Sequence, residues 1–278
     1  MAFNWNYTSE RFQMGEAGWV CNTDGDTPTV QLNIRMLGID TPETHYPGTS
    51  QPRDSDEALN NLLDTHGHLL SEGLREYLAP RLKGKPGTLQ EKWGRAAWRR
   101  FGELADEYLN AHTDYKTGQL RRKQIFLTVG SQAFDRYQRL LAYVAPQEKD
   151  PQKRITFNLL LMQEGMAVNY TIFPNLPKPA DLQRVQEAVR IARQEKRGFW
   201  KDERKLLLPY DFRWCVDTAQ GKRQGPDKYC ADMITGVVHQ PQEYYTILPE
   251  NRLFILADQG HERDLADAME QLGLIQGW

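Results

Sequence analysis

Arg35, Asp40, Thr41 and Glu43 stand close together in the segment RMLGIDTPE, residues 35–43. Their types suit a reaction at phosphorus. A hard cation takes oxygen ligands from carboxylates and carbonyls, and Asp40 with the Thr41 carbonyl can supply two. Glu43, outside that ligand set, can accept a proton from water. Arg35 can clamp a phosphate with its planar fork of donors. The same residues also make an ordinary solvated turn, and residue types alone do not choose between the two.

The surrounding elements must position these groups. Residues 29–37, TVQLNIRML, alternate, with Val30, Leu32, Ile34 and Met36 on one face, which predicts one half-buried strand. Arg35 is opposite in phase, so it points away from that core face. Residues 38–44 read as a loop, and residues 45–60 as surface loop rich in Pro, Ser, Asp and Asn. Leucine spacing predicts a helix over 56–78. After the breakers Pro80, Gly84, Pro86 and Gly87 comes another from about Leu89, with Trp98, Phe101, Leu104 and Tyr108 on one side. Residues 123–129 and 139–145 read as strands, 155–167 as a helix stopped near Gly165, and 181–197 as a helix closed by Gly198. After Leu208 the pattern changes. FRWCVD, DMITGVV, EYYTIL and RLFILAD read as short strands, and 261–273 as a final helix. This predicts a separate small α+β unit, with a boundary near 203–210.

Composition bounds the class. The chain has 278 residues, 40% hydrophobic and 26% charged, with seven Trp, twelve Tyr and ten Phe, so disorder is excluded as its main state. No run of 18 apolar residues suggests a membrane span. Three cysteines, Cys21, Cys215 and Cys230, exclude a disulfide-dense scaffold. Cys215 and Cys230 could pair in an oxidising compartment, whereas Cys21 reads as a buried strand thiol. A net charge of −2 argues against non-specific nucleic-acid binding. The acidic excess is concentrated in residues 203–278, however, with 8 basic and 12 acidic side chains, which leaves the front slightly basic. The first twenty residues lack a basic segment followed by an apolar one. Either a cytoplasmic chain or a mature chain with its signal removed is expected. His66 and His68 have metal-like spacing but read as solvated.

RMLGIDTPET resembles the signature of the staphylococcal (thermo)nuclease family, and so does FDRYQRLLAYV, residues 134–144. FNLLLMQEGMAVNY and DLQRVQEAVRIARQEKRGFW are similar to that family's last two helices. The resemblance covers roughly residues 19–44 and 93–202. It implies an α+β fold: an OB-type five-stranded barrel with three packed helices over residues 1–202. Residues of about 45–92 form an insertion, and 203–278 an extension. Arg35, Glu43 and Arg139 match the family's catalytic trio. Asp40 and Thr41 match two calcium ligands. The third ligand is either Asp26, in DGDT at residues 24–27, or Glu16, if Asp24-Gly25 is itself a hairpin turn. Arg136 and Tyr137 match phosphate contacts. Tyr170 matches a nucleotide-stacking tyrosine, with Phe173 as competitor.

Two functions follow from this reading. One is a Ca2+-dependent phosphodiesterase acting on DNA or RNA, in which Glu43 activates water for in-line attack and the products end in 3′-phosphates. The other is a catalytically silent OB-type module that binds nucleic acid or protein. The intact trio favours the enzyme. Neither reading needs a membrane.

Overall fold

A computed structural model describes residues 17–148, 150 and 154–256. Glu16 and the helix expected at 261–273 lie outside the described residues. The strands are β1 (Gly18–Asn22), β2 (Pro28–Gln31), β3 (Ile34–Met36) and β4 (Gly38–Asp40). The helices α1 (Asp56–Asn60), α2 (Leu62–His66), α3 (Glu72–Leu78) and α4 (Pro86–Tyr108) come next. They are followed by β5 (His112–Thr113), β6 (Leu120–Arg121), β7 (Ile125–Phe134), β8 (Leu140–Pro146), α5 (Phe157–Gln163), β9 (Val168–Ile172) and α6 (Pro179–Gln194). The described chain finishes with α7 (Pro209–Ala219), β10 (Lys228–Asp232), β11 (Val238–His239) and β12 (Arg252–Leu256). No described helix is long and apolar enough to cross a membrane.

The class is α+β. The hydrogen bonds among the described strands do not trace one closed five-stranded barrel. Instead β3-β8-β7 form one sheet and β11-β10-β12-β9-β4 another, with β1-β2 and β5-β6 as separate hairpins. The single strand expected at 29–37 is broken. β2 pairs with β1, β3 pairs parallel with β8, and Asn33 lies between them, its carbonyl accepting from Leu140 N at 2.8 Å. Period-two alternation survives across the break, so the pattern concealed it. Val30 is exposed as a result, while Ile34 and Met36 pack on the core.

Residues 38–40 form a strand rather than a loop. Gly38 has φ +69°, a conformation that suits glycine, and this turns the chain from the first sheet into the second. Asn158, buried on α5, ties the corner. Its Nδ2 donates to the Leu37 carbonyl at 2.8 Å, and its Oδ1 accepts from Val144 N at 3.1 Å. Both are backbone groups of buried residues, where a polar group needs a partner.

The expected boundary near 203–210 does not separate two cores. β12 pairs parallel with β9, so the extension completes the second sheet. Tyr210, Phe212, Trp214 and Phe254 share one apolar cluster with Ile39, Val144 and Trp200. FRWCVD is helical, within α7, and not a strand. Pro209 at its first position presets the helical φ. Most of its positions are buried, so FRWCV reads as a short apolar run that does not by itself distinguish helix from strand. EYYTIL contains a 3₁₀ turn, Tyr244–Thr246.

The insertion and the extension pack on each other. Leu59, Leu62, Leu74 and Leu78 are fully buried. Tyr77 OH donates to Asp211 at 2.9 Å and Tyr46 OH to Asp217 at 2.7 Å, both acceptors on α7. Trp98 and Cys21 depart from expectation at side-chain level. Trp98 on α4 is exposed, although Leu104 on the same helix is buried. Cys215 and Cys230 are free, buried thiols, and Cys21 is free and exposed rather than buried.

Candidate active site

Arg35, Glu43, Arg136, Tyr137, Arg139 and Tyr170 line one open cavity of about 750 Å³. These six of the nine expected residues come together because of strand register. In the β3–β8 pair Ile34 faces Leu140, which brings Arg35 and the neighbouring Arg139 to the same edge. In the β4–β9 pair Gly38 faces Tyr170 and Asp40 faces Val168. The Gly38 turn then folds Arg35 toward Asp40, and Arg35 Nη2 donates to Asp40 Oδ1 at 2.9 Å.

Glu43 follows β4 in a short loop. Gly94 of α4 packs against that loop: a Cβ there would lie 2.4 Å from the Glu43 carbonyl oxygen and 2.8 Å from that of Pro42. Only a residue without a side chain permits this approach, so α4 fixes the loop's height over the cavity. Gln90, one helical turn earlier, completes the seat when its amide is oriented to satisfy both ends. It then accepts from Glu43 N at 3.2 Å and donates to the Leu207 carbonyl at 3.1 Å.

Arg139 is held by the turn before β8. Asp135 Oδ1 accepts from Tyr137 N at 2.9 Å and Arg139 N at 3.0 Å, while Oδ2 accepts from Arg139 Nε at 2.8 Å. Burial pushes the Asp135 carboxyl up, but these bonds outweigh it and hold the group below the ordinary carboxylate range. The Tyr137 ring is exposed, with the Arg136 and Arg139 guanidinium carbons 4.8 and 5.3 Å from its centroid. Tyr170 stacks on Tyr210, centroids 5.3 Å apart and planes 17° from parallel, so one face of its ring is covered. Phe173 packs with the separate small cluster around Leu182 and Leu253. Between the two competing aromatics, Tyr170 is the one that lines the cavity.

The least expected member is Arg213, on α7. Its Nη1 donates to Asp40 Oδ1 at 3.0 Å and to Glu43 Oε1 at 2.7 Å, and its Nη2 to Asp40 Oδ2 at 2.5 Å. Asp40 is almost fully buried, so its charge needs such partners. Burial works against the Arg213 charge, but Asp40 and Glu43 outweigh it and hold the guanidinium protonated. Burial also pushes the Glu43 carboxyl up, and the Asp40 charge adds to this. Arg213 and Arg35 pull it back only in part. No motif announces Arg213. Its signal is a charge inside the apolar run FRWCV, a position that demands a buried partner.

The calcium site implied by the resemblance does not fit this arrangement. Both Asp40 oxygens and one Glu43 oxygen are taken by guanidinium donors. Asp26 sits in the exposed turn between β1 and β2, with its Oδ1 accepting from Thr27 Oγ1 at 3.1 Å. Thr41 is half-buried at the end of β4. Among the described residues, no three His, Cys, Asp or Glu side chains gather as a metal-binding group.

The sequence model of the family described as staphylococcal nuclease homologue matches residues 33–202. Endonuclease YhcR of Bacillus subtilis (strain 168) is 32% identical over 156 residues, which are 56% of this chain. The aligned part is 11% of that protein, so the chain spans only a small share of its relative's length.

Proposed function

The chain belongs to the staphylococcal nuclease homologue family, and from that premise we propose that it is a nuclease hydrolysing phosphodiester bonds of DNA or RNA. The observation that carries this reading is the convergence of Glu43 with Arg35 and Arg139 on one open cavity. The family implies an OB-type plan, and the register of the two sheets underlies that convergence. The similarity to an endonuclease supports it.

In this reading Glu43 takes a proton from water as the water oxygen bonds to phosphorus and the bond to the 5′ oxygen breaks, that oxygen taking up a proton from solvent. Arg35 and Arg139 neutralise the charge that builds on the non-bridging oxygens. Arg136 and Tyr137, at the exposed rim, receive the flanking strand, and the uncovered part of Tyr170 contacts a base. Calcium is the ion the family resemblance implies. Guanidinium groups already occupy the carboxylate oxygens that would bind it.

The second reading, a silent binding module, has one observation in its favour: Glu43 Oε1 is held by Arg213. Incubating the full chain with labelled single- and double-stranded DNA and with RNA separates the two. Fragmentation is expected. Retarded but intact substrate would favour the silent module.

A further inference from the structure

Arg213 lies outside the family-matched residues 33–202, yet it bridges the two carboxylates at the centre of the site. Together Asp40 and Glu43 carry two negative charges, and Arg35 and Arg213 carry two positive ones. The cluster is therefore neutral as it stands. A divalent ion entering it would have to displace four charge-assisted hydrogen bonds and would meet two like charges at close range.

The supports of Arg213 are built in, not incidental. Helix α7 is anchored by Tyr77 to Asp211, by Tyr46 to Asp217 and by Trp214 Nε1 to Tyr244 OH at 3.2 Å. The guanidinium carbon lies 5.5 Å from the Tyr170 ring centroid, and that ring is itself stacked on Tyr210. An arginine presents five N–H donors. Three are engaged with carboxylates here, and Arg213 lines the cavity where the remainder can meet a phosphate oxygen.

We propose that Arg213 is the resident cation of the Asp40–Glu43 pair, holding the position of a divalent ion, so that the chain excludes calcium from this site and cleaves without it. The inference rests on the nuclease reading for its second half only. Insertion and extension together form the device that delivers this charge, since α7 belongs to the extension and is held by Tyr46 and Tyr77 of the insertion.

Calorimetric titration of CaCl2 into the full-length chain, with no nucleic acid present, tests it. Wild type is expected to show no saturable binding. Arg213→Gln, which shortens the stem and removes the charge, is expected to gain one-to-one calcium binding, at least about tenfold tighter than any residual wild-type affinity. In parallel, wild type is expected to cleave DNA in excess chelator, and Arg213→Gln to cleave only when calcium is restored. Saturable calcium binding by wild type would overturn the proposal, as would a folded Arg213→Gln that binds no calcium. If Arg213→Gln does not fold, the wild-type titration decides alone. Wild type that excludes calcium while its variant binds it, with neither cleaving any substrate, would retain the resident cation and overturn the nuclease reading instead.

Discussion

Arg213 and Asp40 meet fork to fork, with Nη1 on Oδ1 at 3.0 Å and Nη2 on Oδ2 at 2.5 Å, although they are 173 residues apart in sequence. This contact fastens the extension to the centre of the family-matched region. It also makes the geometry of the candidate site depend on packing that begins after residue 202.

Removal of residues 203–278 should therefore unfold or aggregate the protein. The cut strips β12 from β9 and exposes the side of the core covered by Tyr210, Phe212, Trp214 and Phe254. Each such aromatic contributes several kcal/mol, ~3–5 when truncated to Ala, against a total stability of ~5–15 kcal/mol. Thermal denaturation of residues 1–202 checks this. A cooperative transition near that of the full chain would show that the front region keeps a sufficient core by itself.

Arg35→Lys and Arg139→Lys should both lose activity while keeping their charge. Arg35 uses one arm of its fork on Asp40, and Arg139 is fixed by Asp135, so each guanidinium has a set direction. Lysine offers a point charge with neither constraint. A loss of ~10²–10³ in turnover is expected from each, by analogy with removal of an oxyanion donor. Near wild-type turnover in both variants would remove the proposed clamp, whereas a loss in one alone would assign the other arginine to structure.

Gly94→Ala should damage stability and activity together. The added methyl would meet the Glu43 carbonyl at 2.4 Å, and that neighbour is backbone, which cannot rotate away. Overpacking of this kind costs ~1–3 kcal/mol, and the loop that moves carries Glu43. Denaturant titration paired with a cleavage assay reads both effects. Gly102, on the same helix, has open space where its Cβ would be and serves as control; alanine there should leave the rate unchanged.

The rate should fall on the acid side at a higher pH than an ordinary glutamate would give. Burial raises the Glu43 carboxyl above the usual 4.5, and a general base works only when ionised. As pH drops through this raised value Glu43 takes up a proton and the base is lost. A profile of kcat/KM against pH checks the direction, and an acid limb centred below 4.5 would contradict it.

Much of this site was legible in the sequence because its signals are local. Arg35 and Glu43 lie in one segment, and alternation around Arg35 placed it off the core face. Helix α6 was marked by Leu182, Val185 and Val189 and by Gly198 beyond its end, and it runs from Pro179 to Gln194. The rest was hidden for physical reasons. The sequence alternation of TVQLNIRML continues through a break, although β2 is exposed throughout and β3 takes a different partner. Most positions of helix α7 are buried, so its apolar run FRWCV does not by itself distinguish helix from strand. Arg213 belongs to no local motif, and its role arises only when α7 is packed against β4 and the loop after it.

Glu43→Gln, assayed in single-turnover cleavage of a labelled single-stranded DNA beside wild type, tests the nuclease reading most directly. Glutamine keeps the shape of the side chain but accepts no proton. Removal of a general base is expected to slow the chemical step by ~10²–10⁴, with the affinity for uncleaved DNA little changed. An undiminished single-turnover rate in a folded Glu43→Gln would contradict the assignment of Glu43 as the base.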